Sequence, residues 1–176
     1  KGNYDIETLK VDMAKIIEAC TDVFGDNPNE EYTFIIHNLT KGSGGLEHLS
    51  STTLQVNRWT YTGSAYKGFL SLVAHEYFHL WNVKRVRPIT LGPFDYNNEN
   101  YTTLLWVMEG FTSYYDELLL YRAGIYTNKE IIRKFQGSVS NIENQPGNKV
   151  QPVAHSSFDA WIKAYRSSEN SYNTTI

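Results

Sequence analysis

Residues 65–83 are apolar on nearly every side of the helix that their spacing predicts, and the rest of the chain must enclose a helix of that kind. Ser64 is placed to cap it, and Pro88 lies just past its end. Inside it stands His75-Glu76-Tyr77-Phe78-His79, an H-E-x-x-H pattern. Two histidines four apart differ by about 40° around a helix, so both imidazoles can converge on one ion. Glu76 lies about 60° from His79, able to reach a water at that ion without ligating it. A pair of ordinary core histidines is the weaker reading, because burying two imidazoles and a carboxylate without partners is unfavourable.

A catalytic metal site of this type needs three protein ligands and an open fourth position. Downstream, Leu105-Trp106-Val107-Met108-Glu109-Gly110-Phe111-Thr112 carries a lone carboxylate among apolar residues, and Glu109 is the candidate third ligand. Twenty-nine residues separate it from His79, enough for a helix end, a long loop and a returning helix. Two imidazoles and a carboxylate suit zinc, one ion, and the same set would accept cobalt or manganese.

Around this centre the pattern is mixed. Ile6, Leu9, Met13, Ile16, Ile17, Cys20 and Phe24 form one helical stripe, with Asp5 as cap and Gly25 as stop. Tyr32 to Ile36 read as a strand, Lys41 to Gly45 as a break, and residues 46–59 as an edge strand with Leu54 and Val56 on one face. Residues 87–100 read as a long surface loop. A third helix covers about 103–122, ended by Gly124, and a fourth runs from Thr127 to about Phe135. Beyond Gly137 the sequence is polar and weakly patterned, with Trp161 and Tyr165 as anchors. Lys84, Arg85 and Arg87 read equally as a solvated helix end or as cations facing a substrate carboxylate. Ser113, one turn past Glu109, is a candidate outer partner of a ligand.

Composition narrows the classes. Hydrophobic residues at 41% and aromatic ones at 14% can fill a core around the central helix. A net charge of −3 with no long basic run gives no footprint for nucleic acid. Cys20 is the only cysteine, which excludes an internal disulfide and a cysteine-ligated cluster. No apolar run is long enough for a membrane span. The opening Lys1-Gly2-Asn3, without an initiator Met or signal-peptide pattern, leads us to expect a piece of a longer protein.

H-E-x-x-H followed by Trp106-Val107-Met108-Glu109-Gly110-Phe111-Thr112 resembles the gluzincin metallopeptidases, which include thermolysin and the aminopeptidase N family. More narrowly, Gly44-Gly45-Leu46-Glu47-His48, the run from His75 through Arg85, Leu105-Trp106, Glu109-Gly110 and Tyr114-Tyr115 resemble the glycyl aminopeptidase family, whose members often carry a C-terminal PDZ domain. The resemblance implies an α+β, thermolysin-like catalytic domain. It would divide into a helix plus small β-sheet lobe over 1–63 and a mainly helical lobe over 64–176, with further domains outside this chain.

The resemblance further implies that His75, His79 and Glu109 ligate zinc, that Glu76 is the general base, and that Gly44, Gly45, Glu47 and His48 bind substrate. Glu47 would hold the free α-amine of a peptide, which makes the enzyme an aminopeptidase. Leu46 and His48 depart from the Met and Asn of the corresponding G-x-M-E-N element. An oxyanion-stabilising tyrosine is expected beyond Ile176, with Tyr172 as a substitute. The implied address is extracytoplasmic, periplasmic or secreted, in a bacterium. A zinc endopeptidase and a catalytically silent peptide-binding module remain as alternatives, and a peptide with a blocked N-terminus separates the first of these from an aminopeptidase.

Overall fold

Asp5 accepts a hydrogen bond from the Thr8 amide (2.8 Å) and starts helix α1, Ile6–Phe24, while the Gly25 amide closes it on the Thr21 carbonyl. In this computed structural model the described residues are 1–164; Tyr165, Tyr172 and the segment 171–176 lie outside them. The predicted stripe is the face that packs: Leu9, Ile16, Ala19 and Cys20 are buried against the central helix and its neighbours. Burial pushes the Cys20 thiol well up, so it behaves as a small core side chain.

Three strands follow: β1, Thr33–Leu39; β2, Gly44–Glu47; and β3, Ser51–Asn57. Their spatial order is β1-β3-β2, with β3 parallel to β1 and antiparallel to β2. The segment expected to be one edge strand is therefore two elements. β2 occupies the edge, and β3, with Thr52, Leu54 and Val56 buried on one face, is central. The glycines that read as a break open β2 instead. Gly44, at φ 136°, takes a conformation that a side chain would strain.

Helix α2, Gly63–Phe78, is the enclosed one, with Phe69, Leu70, Val73, Ala74, Tyr77 and Phe78 buried. It starts after Thr62 rather than Ser64, with no side-chain cap, and it stops at Phe78 rather than Val83. His79 caps its end, its amide bonding to the His75 carbonyl. Leu80, Trp81 and Val83 are buried because residues 79–86 turn back into the core, so apolar character there reflects burial without helical periodicity. The loop over 87–100 holds one short 3-10 turn, Ile89–Leu91.

The chain returns through a π-helical turn, Trp106–Gly110, that runs directly into α3, Phe111–Arg122. Helix α4, Asn128–Glu143, extends well past Phe135, and two short helices, α5 at Val153–Phe158 and α6 at Ala160–Lys163, follow in the region that looked unpatterned. Trp161 Nε1 donates to the Asn100 carbonyl and ties this end to the long loop. No described helix is long and apolar enough to cross a membrane. The ensemble is α+β, a small three-stranded sheet with mostly helices around α2.

Thr127 begins α4 with a capping box: its hydroxyl accepts from the Glu130 amide while its own amide donates to the Glu130 carboxylate. Lys67 also reaches Glu130 at 2.6 Å, and together these bonds hold that carboxyl down at about 2. Replacing Thr127 by Ala is expected to cost about 1 kcal/mol. Thermal denaturation should read this as a drop of about 2–4 °C, and an unchanged midpoint would show that the box contributes nothing.

Candidate active site

The last turn of α2 presents His75, Glu76 and His79, and the π-helical turn presents Glu109 opposite them. His75 Nε2 lies 3.2 Å and His79 Nε2 3.7 Å from the same Glu109 oxygen. Two donors each about 2.0–2.1 Å from a tetrahedral ion stand roughly 3.4 Å apart, so these separations suit one shared ion. The outer nitrogens are both committed. His75 Nδ1 meets the Asp116 carboxylate at 2.9 Å, and His79 Nδ1 donates to the Asn82 carbonyl at 2.9 Å. A carbonyl can only accept, so the His79 proton sits on Nδ1 and the Nε2 lone pair faces Glu109. Imidazoles oriented in this way from behind are the arrangement that metal ligands need.

Asn82 ties the two halves of the site together. Its side-chain amide donates to the Val107 and Met108 carbonyls and to the Thr112 hydroxyl, each at 3.1 Å, so the chain leaving α2 grips the turn that carries Glu109. A π-helical turn is wider than an α turn and is frequent at functional sites. Ser113 is exposed and touches no ligand; the outer partner comes from Asp116 instead. In an ideal helix a residue seven positions on from Glu109 lies within about 20° of it, so this spacing was the available signal. Beside Glu117, Asp116 looks like half of a solvated acidic pair. It is buried.

Asp116→Asn is expected to weaken metal binding about 10- to 100-fold while leaving the fold intact. Competition against a chelator measures it, and an affinity equal to that of the unmutated chain would mean that the contact does not orient His75.

Burial, reinforced by the neighbouring Glu47 and Glu109 carboxylates, pushes Glu76 up to about 7 against the pull of His75 and Lys84. Burial works against an imidazolium at His75, but hydrogen bonds to Asp116 and Glu109 outweigh it and raise that group to about 10. Partial burial works against a carboxylate at Glu109, yet His75 and His79 hold it below the usual range.

Strand β2 runs across the mouth of this cluster. A Cβ at Gly45 would overlap the Glu76 carboxylate, so only glycine lets the strand backbone approach so closely. Glu47 ends the strand with its carboxylate at the site: one oxygen each of Glu47 and Glu76 and one His79 nitrogen lie within 4.8 Å of one another. That trio is a second set able to hold a cation. The set of His75, His79 and Glu109 suits a metal better, because both of its imidazoles are fixed from behind and Glu47 is already paired with Lys84 at 3.0 Å. His48 is exposed, its Nδ1 3.2 Å from the Leu46 carbonyl in the turn between β2 and β3. Tyr115 stacks on Phe78 and Tyr114 on Phe135, both in packing roles.

No match is found among curated proteins. Among solved structures, the chain is similar to an aminopeptidase N family protein from Idiomarina loihiensis, at 37% identity and a TM-score of 0.92. That similarity covers 100% of this chain and 31% of the other, so the chain spans about a third of that protein's length. The family model for the M61 glycyl aminopeptidases matches residues 68–176, which include His75, Glu76, His79, Glu109 and Asp116. On both grounds the chain belongs to the M61 glycyl aminopeptidase family.

Proposed function

We propose that this chain is the zinc-binding part of a peptidase that removes the first residue of peptides with a free N-terminus. The observation that carries the reading is the convergence of two imidazole Nε2 atoms, both anchored from behind, on Glu109, with Glu76 alongside and free of that convergence. Zinc, when bound by His75, His79 and Glu109, supplies a Lewis acid that polarises the scissile carbonyl and acidifies water to about pKa 7.

The other steps belong to the chain's own residues. Glu76, poised near neutrality by burial, takes the proton of the attacking water and passes it to the departing amine. Asp116 and Asn82 hold the imidazoles in place while this happens. The segment from Gly44 to His48 takes the substrate in extended form by strand addition along β2, and Gly45 lets that strand lie against Glu76. Glu47 accepts the α-ammonium, which places the first peptide bond at Glu76. In this reading the layout is thermolysin-like, with residues 1–63 supplying the amine anchor and 64–176 the metal ligands and base.

One observation favours an endopeptidase instead: Glu47 already has an ammonium partner in Lys84. The test is metal content with a His75→Ala control, followed by hydrolysis of free and N-acetylated peptides. One zinc per chain, lost in the control, with only free peptides cleaved, is the expected result. Equal cleavage of blocked peptides would replace the aminopeptidase by an endopeptidase, and no zinc in either protein would remove the metal.

A further inference from the structure

Thr112 is fully buried, and its hydroxyl lies against three groups next to the metal ligands. It donates to the Met108 carbonyl at 2.6 Å, accepts from the Asn82 side-chain amide at 3.1 Å and stands 3.4 Å from His79 Nδ1. A helical threonine often returns its hydroxyl to the carbonyl four residues back, and taken alone that bond is ordinary. The groups around it are not. The Asn82 amide lies 3.1 Å from this hydroxyl and from the Val107 and Met108 carbonyls, its two hydrogens shared among the three. The Asn82 backbone carbonyl meanwhile accepts from His79 Nδ1 at 2.9 Å. The one hydroxyl proton goes to Met108, so towards Asn82 and His79 the oxygen can only accept. Asn82 and Thr112 together join one candidate ligand, His79, to the turn that carries another, Glu109.

The turn at Trp106–Gly110 bonds in steps of five residues and α3 in steps of four. Where the step shortens, one carbonyl is left without a backbone amide, and a buried carbonyl needs another donor. Val107 and Met108 stand at that junction, where Asn82 and Thr112 supply the donors. A widened turn amounts to one extra residue, which a helix could carry elsewhere along its length or release at its start. Any such slide would change the bearing of Glu109 on the histidines, since each residue of a helix turns the next by about 100°. We propose that Thr112 is a positioning residue: its hydroxyl, with the Asn82 amide, pins the π-helical turn at Trp106–Gly110 and so holds Glu109 in register with His79 for the metal. The inference rests on the reading that His79 and Glu109 are ligands.

The experiment compares the unmutated chain with Thr112→Val, Thr112→Ser and Glu109→Ala, each titrated with zinc against a chelator and, separately, with cobalt(II). Cobalt accepts the same donors, and its visible absorption bands report the coordination geometry. Valine keeps the shape of threonine and loses the hydroxyl, whereas serine keeps the hydroxyl and loses the methyl group. Thr112→Val should bind zinc about 10- to 100-fold more weakly, the range of an outer partner, and Thr112→Ser should bind it as the unmutated chain does. The cobalt bands of Thr112→Val should weaken and shift towards those of Glu109→Ala, because a misaimed carboxylate leaves its place to water. A threonine that only packs would lower the melting temperature of metal-free Thr112→Val and leave zinc affinity and cobalt bands unchanged, and that result would overturn the pin. So would a loss of about tenfold or more in Thr112→Ser, even if the valine variant failed to fold, because the hydroxyl is still there. Should the unmutated chain hold neither metal, or Glu109→Ala keep its affinity and bands, the ligand reading falls and the pin with it. A Thr112→Val chain equal to the unmutated one, beside a Glu109→Ala chain that differs, removes the pin alone.

Discussion

Glu76→Gln is expected to lower turnover about 10²- to 10⁴-fold, the range that a positioned general base supplies, while zinc content stays at one per chain. The amide keeps the shape of the carboxyl and cannot accept the water proton. Glu76 makes no part of the convergence on Glu109, so the metal has no reason to leave. The site offers a second check. Burial and the neighbouring carboxylates place Glu76 near 7 in the free chain, and a dication beside it draws that value down. The acidic limb of the rate profile should therefore lie below pH 7 and vanish in the variant. Full activity in Glu76→Gln would assign the base elsewhere, and loss of zinc would make Glu76 a ligand.

Zinc binding should tighten by at least about tenfold per pH unit between 6 and 9, releasing about one proton per ion from His75 at pH 7 and a further fraction from Glu76. The sign follows from His75. Without an ion, its imidazole is held protonated up to about 10 because Asp116 and Glu109 bond to it more strongly than burial disfavours the charge. The Nε2 proton that bridges to Glu109 occupies the place of the metal, so proton and metal exclude each other. Raising the pH removes the competitor, about tenfold per unit below the His75 value. Calorimetry in buffers of different ionisation enthalpy counts the proton, and chelator competition follows the slope. A flat profile would mean that His75 is neutral before zinc arrives. Glu109→Ala should weaken binding by more than the 10- to 100-fold expected for an outer partner, since it removes a ligand and the bridge together.

The parts of the site that could be read from the sequence are those set by local geometry. His75, Glu76 and His79 share one helix, and four-residue spacing places two of them on one flank whatever surrounds them. Glu109 stood out because a lone carboxylate among Leu105, Trp106, Val107 and Met108 needs a partner. Asp116 gave no such contrast beside Glu117, and its burial depends on α3 packing against α2, which no local pattern encodes. Asn82 was equally silent: an asparagine after a helix reads as turn chemistry, and its side-chain amide finds its acceptors only once the π-helical turn arrives.

The fold divides in the same way. Caps at Asp5 and Thr127 were legible because a cap is made within three residues of itself. The end of α2 was misjudged because Leu80, Trp81 and Val83 are apolar for tertiary reasons. The glycine run before Glu47 looked like a break, and it is a strand whose missing side chain makes room for Glu76.

The turn at Trp106–Gly110 packs five residues where an α-helix would accommodate fewer. Each residue of a helix carries its neighbours through about 100°, so excising a single position here would swing Glu109 out of register with the histidines while Asp116 stayed where it is. The site is in this sense a phase relation between two segments of one helix, and a deletion too small to unfold the protein would be enough to separate its parts.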